Sequence, residues 1–561
     1  MDSAGATLAI LVAGVLVVVG GVLFLRLHAF LALLLGALLV GVLTPAGSIE
    51  GYSLQREASK VVSAGAGEAT LSLTEKQGGR IGLLYQVVRR SPADGRWTSV
   101  GELQIDRFVE APNTKGEMVQ QAVAAVRGAG WQPQAGDLAV QPAVLAAAQK
   151  LATQNVAQRV AAGFGATCAN IGILIALASI VGMCLLKSGA ADRIVRSSLR
   201  LTGEKGAPGA FLGSSFLLGV PVFFDTVFYL MIPLAKAMAL RTGRNYLLFV
   251  LTVVAGGAMA HTLVPPTPGP LLVAEQLKVP VGEMILAGMV VGSIAATAGY
   301  LFAAFLNRKY QLPLRDSADL SLKELEELSQ RGDSKLPPTW LSMLPIALPV
   351  VLMGGYTLLQ TFGWQPSPAV KPWADTLGDK NISLLIAAAI AMGTLVWKQR
   401  TSREEMAESL ESAISSAGSV ILITAAGGAF GAVLQQTGVA GLISQMPRSS
   451  PVVLLTLAFL VSSAIRTAQG SSTVAMITTA GVFAGMAGQS LGFHPVYLAL
   501  TIGCGALPIG WMNDSGFWVV TKMSGMTEME GLRYVTTVLA VIGVTGFLVT
   551  LVAATLFPMA M

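Results

Sequence analysis

The feature that most constrains this chain is a series of nine uninterrupted apolar runs. Each run approaches the length of about 20 residues that an α-helix needs to cross the hydrocarbon core of a bilayer. Charged residues make up only 12% of the 561 residues, against about 25% in an ordinary soluble protein. The runs therefore predict a polytopic, all-α membrane protein that lies in the lipid bilayer. They cover residues 6–25, 27–43, 167–186, 247–264, 284–306, 340–360, 382–397, 413–434 and 534–557.

Three further apolar stretches are interrupted by glycine, proline or polar residues. Irregular backbone is tolerated at membrane depth only where protein covers it or where it lines a cavity. The interruptions therefore predict re-entrant hairpins and broken helices around a polar site. They fall at Gly219 and Pro221 within residues 210–235, at 466–472 within 452–488, and at 508–516 within 495–520.

The short loops carry the orientation signal. Residues 187–205, 236–244 and 398–403 are rich in Lys and Arg, and loops of this kind stay on the cytoplasmic side. Both termini are then expected outside. Because residues 236–244 return to the same side as residues 187–205, the intervening segment at 208–235 is predicted to be a re-entrant hairpin.

A weak internal repeat appears when the chain is compared with itself at a shift of 249 residues. Gly256 then falls on Gly505, and the break at 264–269 falls on 513–518. The loop charges orient the opening helices of the two copies oppositely, which predicts an inverted repeat of the kind found in many secondary transporters. Chance matching between glycine-rich apolar segments is the alternative.

The charges concentrate in two segments, 46–160 and 307–337, which together hold 34 of the 68 charged residues. The first segment is predicted to be a small α+β extracytoplasmic insertion, in which Thr114 and Glu117 form a capping box that opens an Ala-rich helix. The predicted domains are two transmembrane helices at 1–45, the insertion at 46–160, a first transport repeat at 161–306, a cytoplasmic linker at 307–337, linking transmembrane helices at 338–400 and a second, inverted repeat at 401–561.

Several function classes lack their sequence signatures. There is no GxxxxGK[ST] phosphate-binding loop and no cluster of His, Cys and carboxylate residues at metal-ligand spacing. The net charge of +6 arises from basic residues in short loops rather than from a basic stripe, so no nucleic acid partner is expected. These absences favour a transporter over an enzyme, with no cofactor and no metal.

Asp225 follows the Gly219 and Pro221 break in the sequence GVPVFFDT. A carboxylate at membrane depth is costly, so it is expected to face a cavity or a charged partner. Asp225 is therefore a candidate proton carrier. A structural cap that accepts hydrogen bonds from freed backbone amides is the alternative.

Arg466 stands near the end of an otherwise apolar run, in the sequence AIRTAQGSST. A guanidinium can bind a carboxylate through two parallel hydrogen bonds, although a snorkelling arginine at the outer boundary fits equally well. The residues that follow are small and polar, suited to hydroxyl groups of a ligand, or simply to tight helix packing. They are Gln469, Gly470, Ser471, Ser472 and Thr473.

The proline-rich segment at 261–270 cannot form a continuous helix, because each proline removes a hydrogen-bond donor and clashes with the preceding turn. A half-helix that starts after it would point its positive N-terminus at an anion. The matching break offers Asn513, Asp514 and Ser515. Two facing breaks predict a site for a small polar anion. His261 is either a packed residue or a proton relay.

Taken together, these segments resemble the gluconate permease (GntP) family of secondary transporters, within the ion-transporter superfamily. The likeness covers residues 6–45 and about 160–560, through RLHAFLALLLGALLVG, GVPVFFDT, AHTLVPPTPGP, AQGSSTVAM and NDSGFW. It implies a proton symporter for gluconate or a related sugar acid, with D-serine transport as a variation within the family. It also implies an architecture of inverted repeats with hairpins.

The chain departs from the family pattern in three places. Thr267 stands where the family motif PPHPGP has its histidine, and Asp225 stands where FFE has its glutamate. About 100 residues separate the second and third transmembrane helices, where the family usually has a short loop. The first departure puts the substrate or the proton coupling at that position in question.

The sequence thus predicts an inner-membrane secondary transporter that imports a small hydroxy-carboxylate by proton symport and alternating access. Sodium coupling, a D-serine or monocarboxylate substrate, a membrane sensor with an extracytoplasmic ligand-binding domain, and a homo-oligomer are left open. The proton-coupling candidates are Asp225, His261 and Asp514. The substrate-binding candidates are Pro266, Thr267, Gly269, Arg466, Gln469, Gly470, Ser471, Ser472, Thr473, Asn513 and Ser515.

Overall fold

The computed structural model describes the chain apart from residues 1–2, 66, 73–79, 92–95, 113–117, 129, 316–335, 362, 365, 400–401, 439–450, 487–490, 513 and 560–561. The described part is mostly helical and contains one small β-barrel. Two compact units can be distinguished. The barrel unit comprises Met1–Gly14, Gly36–Ala162 and Ala432–Gln445, and the helical unit comprises Val15–Leu35, Gly163–Gly431 and Met446–Met561.

The barrel lies within the predicted insertion. Its six strands close in the order β1-β2-β5-β4-β3-β6, with every neighbouring pair antiparallel. Closure leaves no free edge for another chain to pair with. The strands are β1 (Ser59–Ala64), β2 (Glu68–Ser72), β3 (Leu84–Arg90), β4 (Trp97–Pro112), β5 (Met118–Arg127) and β6 (Leu138–Val140).

The interior of the barrel is built from alternate strand positions. Tyr85 and Val87 on β3, and Leu103 and Ile105 on β4, are fully or almost fully buried in one apolar cluster, as the period of two along a strand requires. A second cluster joins the barrel to helices α3 (Ala46–Glu57) and α4 (Pro142–Thr153).

The prediction of an Ala-rich helix after Glu117 is wrong. Thr114 and Glu117 lie outside the described residues, and the chain from Met118 forms strand β5. β5 pairs with β2 on one side and β4 on the other, and these ladders outweigh the helix propensity of its three alanines. The Ala-rich helix is α4, which begins at Pro142. The insertion is therefore a β-barrel with flanking helices, which contains both the helices and the strands of the predicted α+β domain.

An ion pair between Arg89 and Asp137 joins strand β3 to the residue that precedes β6. Arg89 donates to both carboxylate oxygens of Asp137, at 2.8 and 2.7 Å. This fork-shaped contact raises the pKa of the Arg89 guanidinium. Asp137 is almost buried and also accepts from the backbone N–H of Gln134 at 2.8 Å. The two contacts fix the approach of the chain to β6.

Within the described residues, eight helices are long and apolar enough to cross a membrane, or nine if the bent pair Ala29–Leu43 and Ala46–Leu54 is one span. The predicted run at 6–25 is helix α1 (Ser3–Leu23), whose apolar part Gly5–Gly21 is shorter. The prediction of a polytopic helical membrane protein is confirmed. The remaining helices before the linker are α2 (Ala29–Leu43), α5 (Val156–Lys187), α6 (Ala190–Leu218), α7 (Phe224–Thr242), α8 (Tyr246–Leu263), α9 (Pro268–Gln276) and α10 (Val281–Lys309).

After the linker the same order of elements returns. The first copy has a helix hairpin, α6 and α7, then a broken helix, α8 and α9, and then the long helix α10. The helices after the linker are α11 (Thr339–Pro349), α12 (Gly355–Thr361), α13 (Lys371–Gly378), α14 (Lys380–Gln399), α15 (Arg403–Gln435), α16 (Pro451–Gln469), α17 (Ser472–Phe483), α18 (Pro495–Gly505), α19 (Ser515–Ser524) and α20 (Glu528–Leu556). Among them, α16 and α17 form the second hairpin, α18 and α19 form the second broken helix, and α20 is the second long helix.

Two glycines that the sequence shift pairs have the same structural role. A Cβ on Gly256 of α8 would collide with the Leu212 carbonyl of α6, and a Cβ on Gly505 of α18 would lie 2.6 Å from the Phe459 carbonyl of α16. Each glycine thus lets a broken helix approach the backbone of its hairpin, as small residues do between membrane helices. This shared contact supports the internal repeat. The inverted orientation, the re-entrant path and the domain boundaries stay predictions.

Candidate functional site

A cavity of about 290 Å³ lies in the helical unit, where the turns of both hairpins meet both broken helices. This volume is near the lower end of the range of about 300–1,000 Å³ for small-molecule pockets. Its walls combine apolar side chains with a dense polar group. The polar lining residues are Asp225, His261, Thr262, Thr424, Arg466, Ser471, Ser472, Thr473, Asp514 and Ser515.

The first hairpin presents Asp225 to this cavity. Gly219 and Pro221 end α6, and α7 starts after Phe223, so Asp225 occupies the first turn of α7, where the helix dipole favours an anion. Among the described residues, none donates a hydrogen bond to Asp225, and the N-cap of α7 has no side-chain cap bond. The carboxylate faces the cavity rather than capping the helix, and its part in proton coupling stays a prediction.

Arg466 lies in the last turn of α16 and is only 4% exposed. One of its Nη atoms pairs with Asp514 Oδ2, and the other donates to the backbone oxygen of Gly470. Its Nε is buried and has no hydrogen-bond partner in the described chain. The snorkelling alternative therefore does not fit, because the guanidinium is turned inward to an acid.

The second hairpin turns at Gly470, which has a positive φ of 78° that glycine adopts without strain. Ser471 caps α17 by accepting a hydrogen bond from Val474 N at 3.3 Å. Ser471, Ser472 and Thr473 all line the cavity, so a row of three hydroxyls lies five to seven positions after the arginine.

Gln469 and Gly470 do not line the cavity among its described walls. Gln469 is nevertheless buried, and neither its Oε1 nor its Nε2 has a hydrogen-bond partner in the part of the chain that the structure describes. A buried side-chain amide without partners is rare in native proteins. This residue therefore retains unused hydrogen-bonding capacity directly beside the turn.

The second broken helix supplies the acid that holds Arg466. Asp514 is the N-cap of α19, where its Oδ1 accepts from Gly516 N at 2.9 Å. A Cβ on Gly516 would lie 3.3 Å from Asp514 Oδ1 and 3.6 Å from Asp225 Oδ1, so the two carboxylates flank the same glycine. Ser515 lines the cavity beside them. Asn513 lies outside the described residues.

The first broken helix contributes less than predicted. Pro266 and Thr267 line a separate cavity of about 10 Å³ behind Phe223, and Thr267 Oγ1 donates to the Val264 carbonyl at 2.7 Å. Gly269 is covered by Met476, with which a Cβ would collide. The structure therefore does not bring these three predicted residues to the main cavity.

His261 does reach the main cavity from α8. Its ring lies edge-on to Phe223, with ring centroids 6.3 Å apart, and its Nδ1 is buried with no hydrogen-bond partner among the described residues. The packed alternative and the relay alternative thus both retain support, and the relay role stays a prediction.

Two polar residues of the cavity lining, Thr262 and Thr424, were not among the sequence candidates. Thr262 on α8 donates to the Ala258 carbonyl at 3.0 Å, and Thr424 on α15 donates to the Val420 carbonyl at 2.6 Å. Each hydroxyl is satisfied within its own helix, so an isolated threonine in an apolar run carried no signal. Searching the described residues finds no group of three or more His, Cys, Asp or Glu residues that could hold a metal ion.

Many apolar spanning helices around a polar cavity at helix breaks define a multi-pass membrane transporter. The sequence model of the GntP family permeases matches residues 137–556. The chain therefore belongs to the GntP permease family and is a transporter, not an enzyme. The matched region starts after most of the barrel, so the family assignment rests on the helical part.

Two permeases resemble this chain in sequence over about two thirds of its length. An uncharacterized permease of Haemophilus influenzae is 34% identical over 381 residues, which cover 66% of this chain and 76% of the relative. A gluconate permease of Pseudomonas aeruginosa is 32% identical over 389 residues, covering 68% and 84%. The crystal structure of the YdaH transporter of Alcanivorax borkumensis shares the fold at a TM-score of 0.51 and 15% identity, covering 81% of this chain and 95% of that one.

Proposed function

We propose that this permease imports gluconate or a closely related small sugar acid by proton symport with alternating access. The observation that carries the proposal is a buried guanidinium, Arg466, beside a row of hydroxyls on the wall of one cavity. A sugar acid has the matching chemistry, because it carries one carboxylate and a chain of hydroxyl groups. The Pseudomonas relative is named a gluconate permease, which supports the same substrate class.

Each group would have a separate task in binding. Arg466 would hold the substrate carboxylate through charge-assisted hydrogen bonds. The starts of α17 and α19, at Ser472 and Ser515, both lie on the cavity wall, and their free backbone N–H groups would add to the attraction for an anion. Ser471, Ser472, Thr473 and Asn513 would meet the substrate hydroxyls. Asp225, Asp514 and His261 are the groups available to carry the proton.

The proposal includes the location of the protein. We infer that it sits in the inner, cytoplasmic membrane as a multi-pass protein, with both termini and the barrel insertion on the extracytoplasmic side. Lipid and the small anionic substrate are its expected partners, and a homo-oligomer is compatible with the sequence. Labelling of single cysteines introduced into the barrel from the outside of intact cells tests this orientation.

The function is tested by uptake into proteoliposomes. The full chain is reconstituted, an inward proton gradient is imposed, and accumulation of labelled gluconate is followed with D-serine, lactate and glycerate as competitors. We expect concentrative uptake that an uncoupler abolishes and that an equal sodium gradient does not drive. Accumulation driven only by sodium would contradict the proton coupling, and absence of gluconate uptake would contradict the substrate class. Empty liposomes are the control.

A further inference from the structure

The cavity contains an imbalance of charged groups. Its described titratable lining residues are one arginine, Arg466, two acids, Asp225 and Asp514, and one histidine, His261. An anionic substrate adds a third carboxylate to a place with one guanidinium. Because an unpaired ionised carboxylate away from water is costly, binding of the anion requires one of the resident groups to change its charge.

The two aspartates differ in what they hold. Asp514 pairs with Arg466 through Oδ2 and caps α19 through Oδ1. Asp225, by contrast, has no hydrogen bond or ion pair to any described residue. Only a group whose surroundings change when a ligand binds can link that ligand to a proton. Asp514 is in that position, because its counter-ion is the very group that the substrate needs.

Both Nη atoms of Arg466 already have a partner, since one donates to the Gly470 carbonyl and the other pairs with Asp514 Oδ2. Its Nε is buried and has no hydrogen-bond partner among the described residues. Each Nη atom carries a second N–H, so a substrate carboxylate that approaches from the cavity would share the guanidinium with Asp514. Two ionised carboxylates at one positive charge in a site away from water repel each other, which favours release or protonation of one of them.

We propose that the substrate carboxylate displaces Asp514 from Arg466 and that the displaced Asp514 takes up the coupling proton. This inference rests on the proposed function. One O–H bond forms on Asp514 with a proton from the water on the entry side, and one anion arrives, so the net charge of the cluster is unchanged. On release, the proton leaves Asp514, and the ion pair with Arg466 re-forms. The ion pair thus makes proton uptake a condition of stable substrate binding.

Other charged groups near α19 have partners elsewhere. The helices packed against α19 are α7 and α20, and apart from Asp225 their charged residues are absent from the described cavity lining. His261 and Asp225 are thus the remaining competitors for the proton. The contacts elsewhere are Lys236 with the Arg315 carbonyl, Arg241 with Glu204, Lys522 with Glu528, Arg315 with Glu530, and Arg533 over the Tyr310 ring.

The test counts protons on substrate binding. The purified full chain is titrated with gluconate in buffers of different ionisation enthalpy, and with gluconamide, the neutral amide that lacks the carboxylate. We expect about one proton to be taken up per gluconate and a Kd that rises about tenfold per pH unit in the alkaline range. Gluconamide should bind without proton uptake, because it does not displace Asp514.

Two variants assign the proton. D514N should bind gluconate with a pH-independent Kd and no proton uptake, and in liposomes it should exchange gluconate without accumulating it. D225N is expected to change the affinity for gluconate, because Asp225 lines the cavity, but it should still take up about one proton per gluconate bound. Proton uptake retained in D514N, or lost only in D225N, would overturn the proposal.

The outcomes separate the two proposals. If wild type binds no gluconate, the proposed function fails. If wild type binds gluconate without proton uptake, only the coupling inference fails. If D514N does not fold, the wild-type comparison decides, because equal proton uptake with gluconate and with gluconamide would show that the carboxylate exchange is not the linked step.

Discussion

The turns of the two hairpins occupy matching places in the two copies, yet they bring opposite chemistry to the cavity. The first turn presents the rings of Phe223 and Phe224 with one acid, Asp225, that has no partner among the described residues. The second presents a paired guanidinium followed by the hydroxyls of Ser471 and Ser472. The similar backbone arrangement of the hairpins therefore determines where the turns meet, and the side chains determine the chemistry of each turn. In the proposed function, the first hairpin would shape the cavity and the second would bind the anion.

The largest expected effect comes from the second turn. Arg466→Gln keeps the side chain polar but removes the charge, so the substrate carboxylate loses its counter-ion and Asp514 is left unpaired. We expect gluconate uptake, as kcat/KM, to fall by about 10-fold to 150-fold, since a hydrogen bond to a charged group contributes about 1.5–3 kcal/mol. Arg107→Gln, which removes an exposed ion pair with Glu68 in the barrel, is the matched control. Equal loss in both variants would contradict the division of roles.

The next effect tests what the two copies share. Gly256→Ala and Gly505→Ala should each destabilise the protein by about 1–3 kcal/mol or prevent folding, because the added methyl group overpacks a backbone contact. Gly213→Ala on α6, where no described atom lies within 4 Å of the added Cβ, should be neutral or slightly stabilising. Thermal unfolding in detergent measures all three. If Gly256→Ala is destabilised and Gly505→Ala is not, the two glycines do not have equivalent structural roles.

A smaller effect is expected from one hydroxyl of the second turn. Ser472→Ala removes a cavity-lining hydroxyl that does not cap the helix. We expect the KM for gluconate to rise about fivefold to tenfold with little change in stability, which corresponds to the loss of one hydrogen bond of about 1 kcal/mol. The uptake of a substrate with fewer hydroxyls, such as glycerate, should be affected less. An equal change for both substrates would remove Ser472 from hydroxyl recognition.

The smallest effect concerns helix capping. Ser471 accepts a hydrogen bond from Val474 N, whereas Phe223, at the start of α7, provides no side-chain cap. Ser471→Ala should therefore lower the free energy of unfolding by about 1 kcal/mol, and Ser471→Asn should restore most of it. Phe223→Ala removes no cap, because Phe223 provides none. The backbone amides in the first turn of α7 should therefore not exchange faster through loss of a cap in this variant. Unchanged stability in Ser471→Ala would show that the turn is held by the Arg466 contact instead.

The sequence predicted the spans and the breaks well for a clear physical reason. Span length is set by bilayer thickness, and proline, glycine and polar clusters cannot continue an apolar helix in lipid. The breaks at Gly219, at Gly470 and at Pro265 appear where the sequence places them. The barrel was predicted only in part, because strand pairing over long sequence distances decided that the Ala-rich segment from Met118 is a strand.

The candidate site was predicted in part. Eight of the fourteen candidate residues line the main cavity, because polar residues at helix breaks in an apolar chain have few other uses. The segment at Thr267 was misplaced for a packing reason. Phe223 stands between Thr267 and the main cavity, and it lines both spaces. Thr262 and Thr424 reach the cavity only through the rotation of their helices, which the sequence does not encode locally.

The sequence by itself determined the class of protein. Hydropathy, charge placement and helix breaks depend on whether each segment lies in lipid, in water or against other protein. The pairing of Arg466 with Asp514 depends on the tertiary structure alone. The two residues lie on different helices, and their contact requires two turns and two broken helices to converge. Close backbone contacts at Gly256 and Gly505 bring those elements together. The tertiary structure therefore determines that Arg466 pairs with Asp514, and the route that we propose for the coupling proton depends on this pairing.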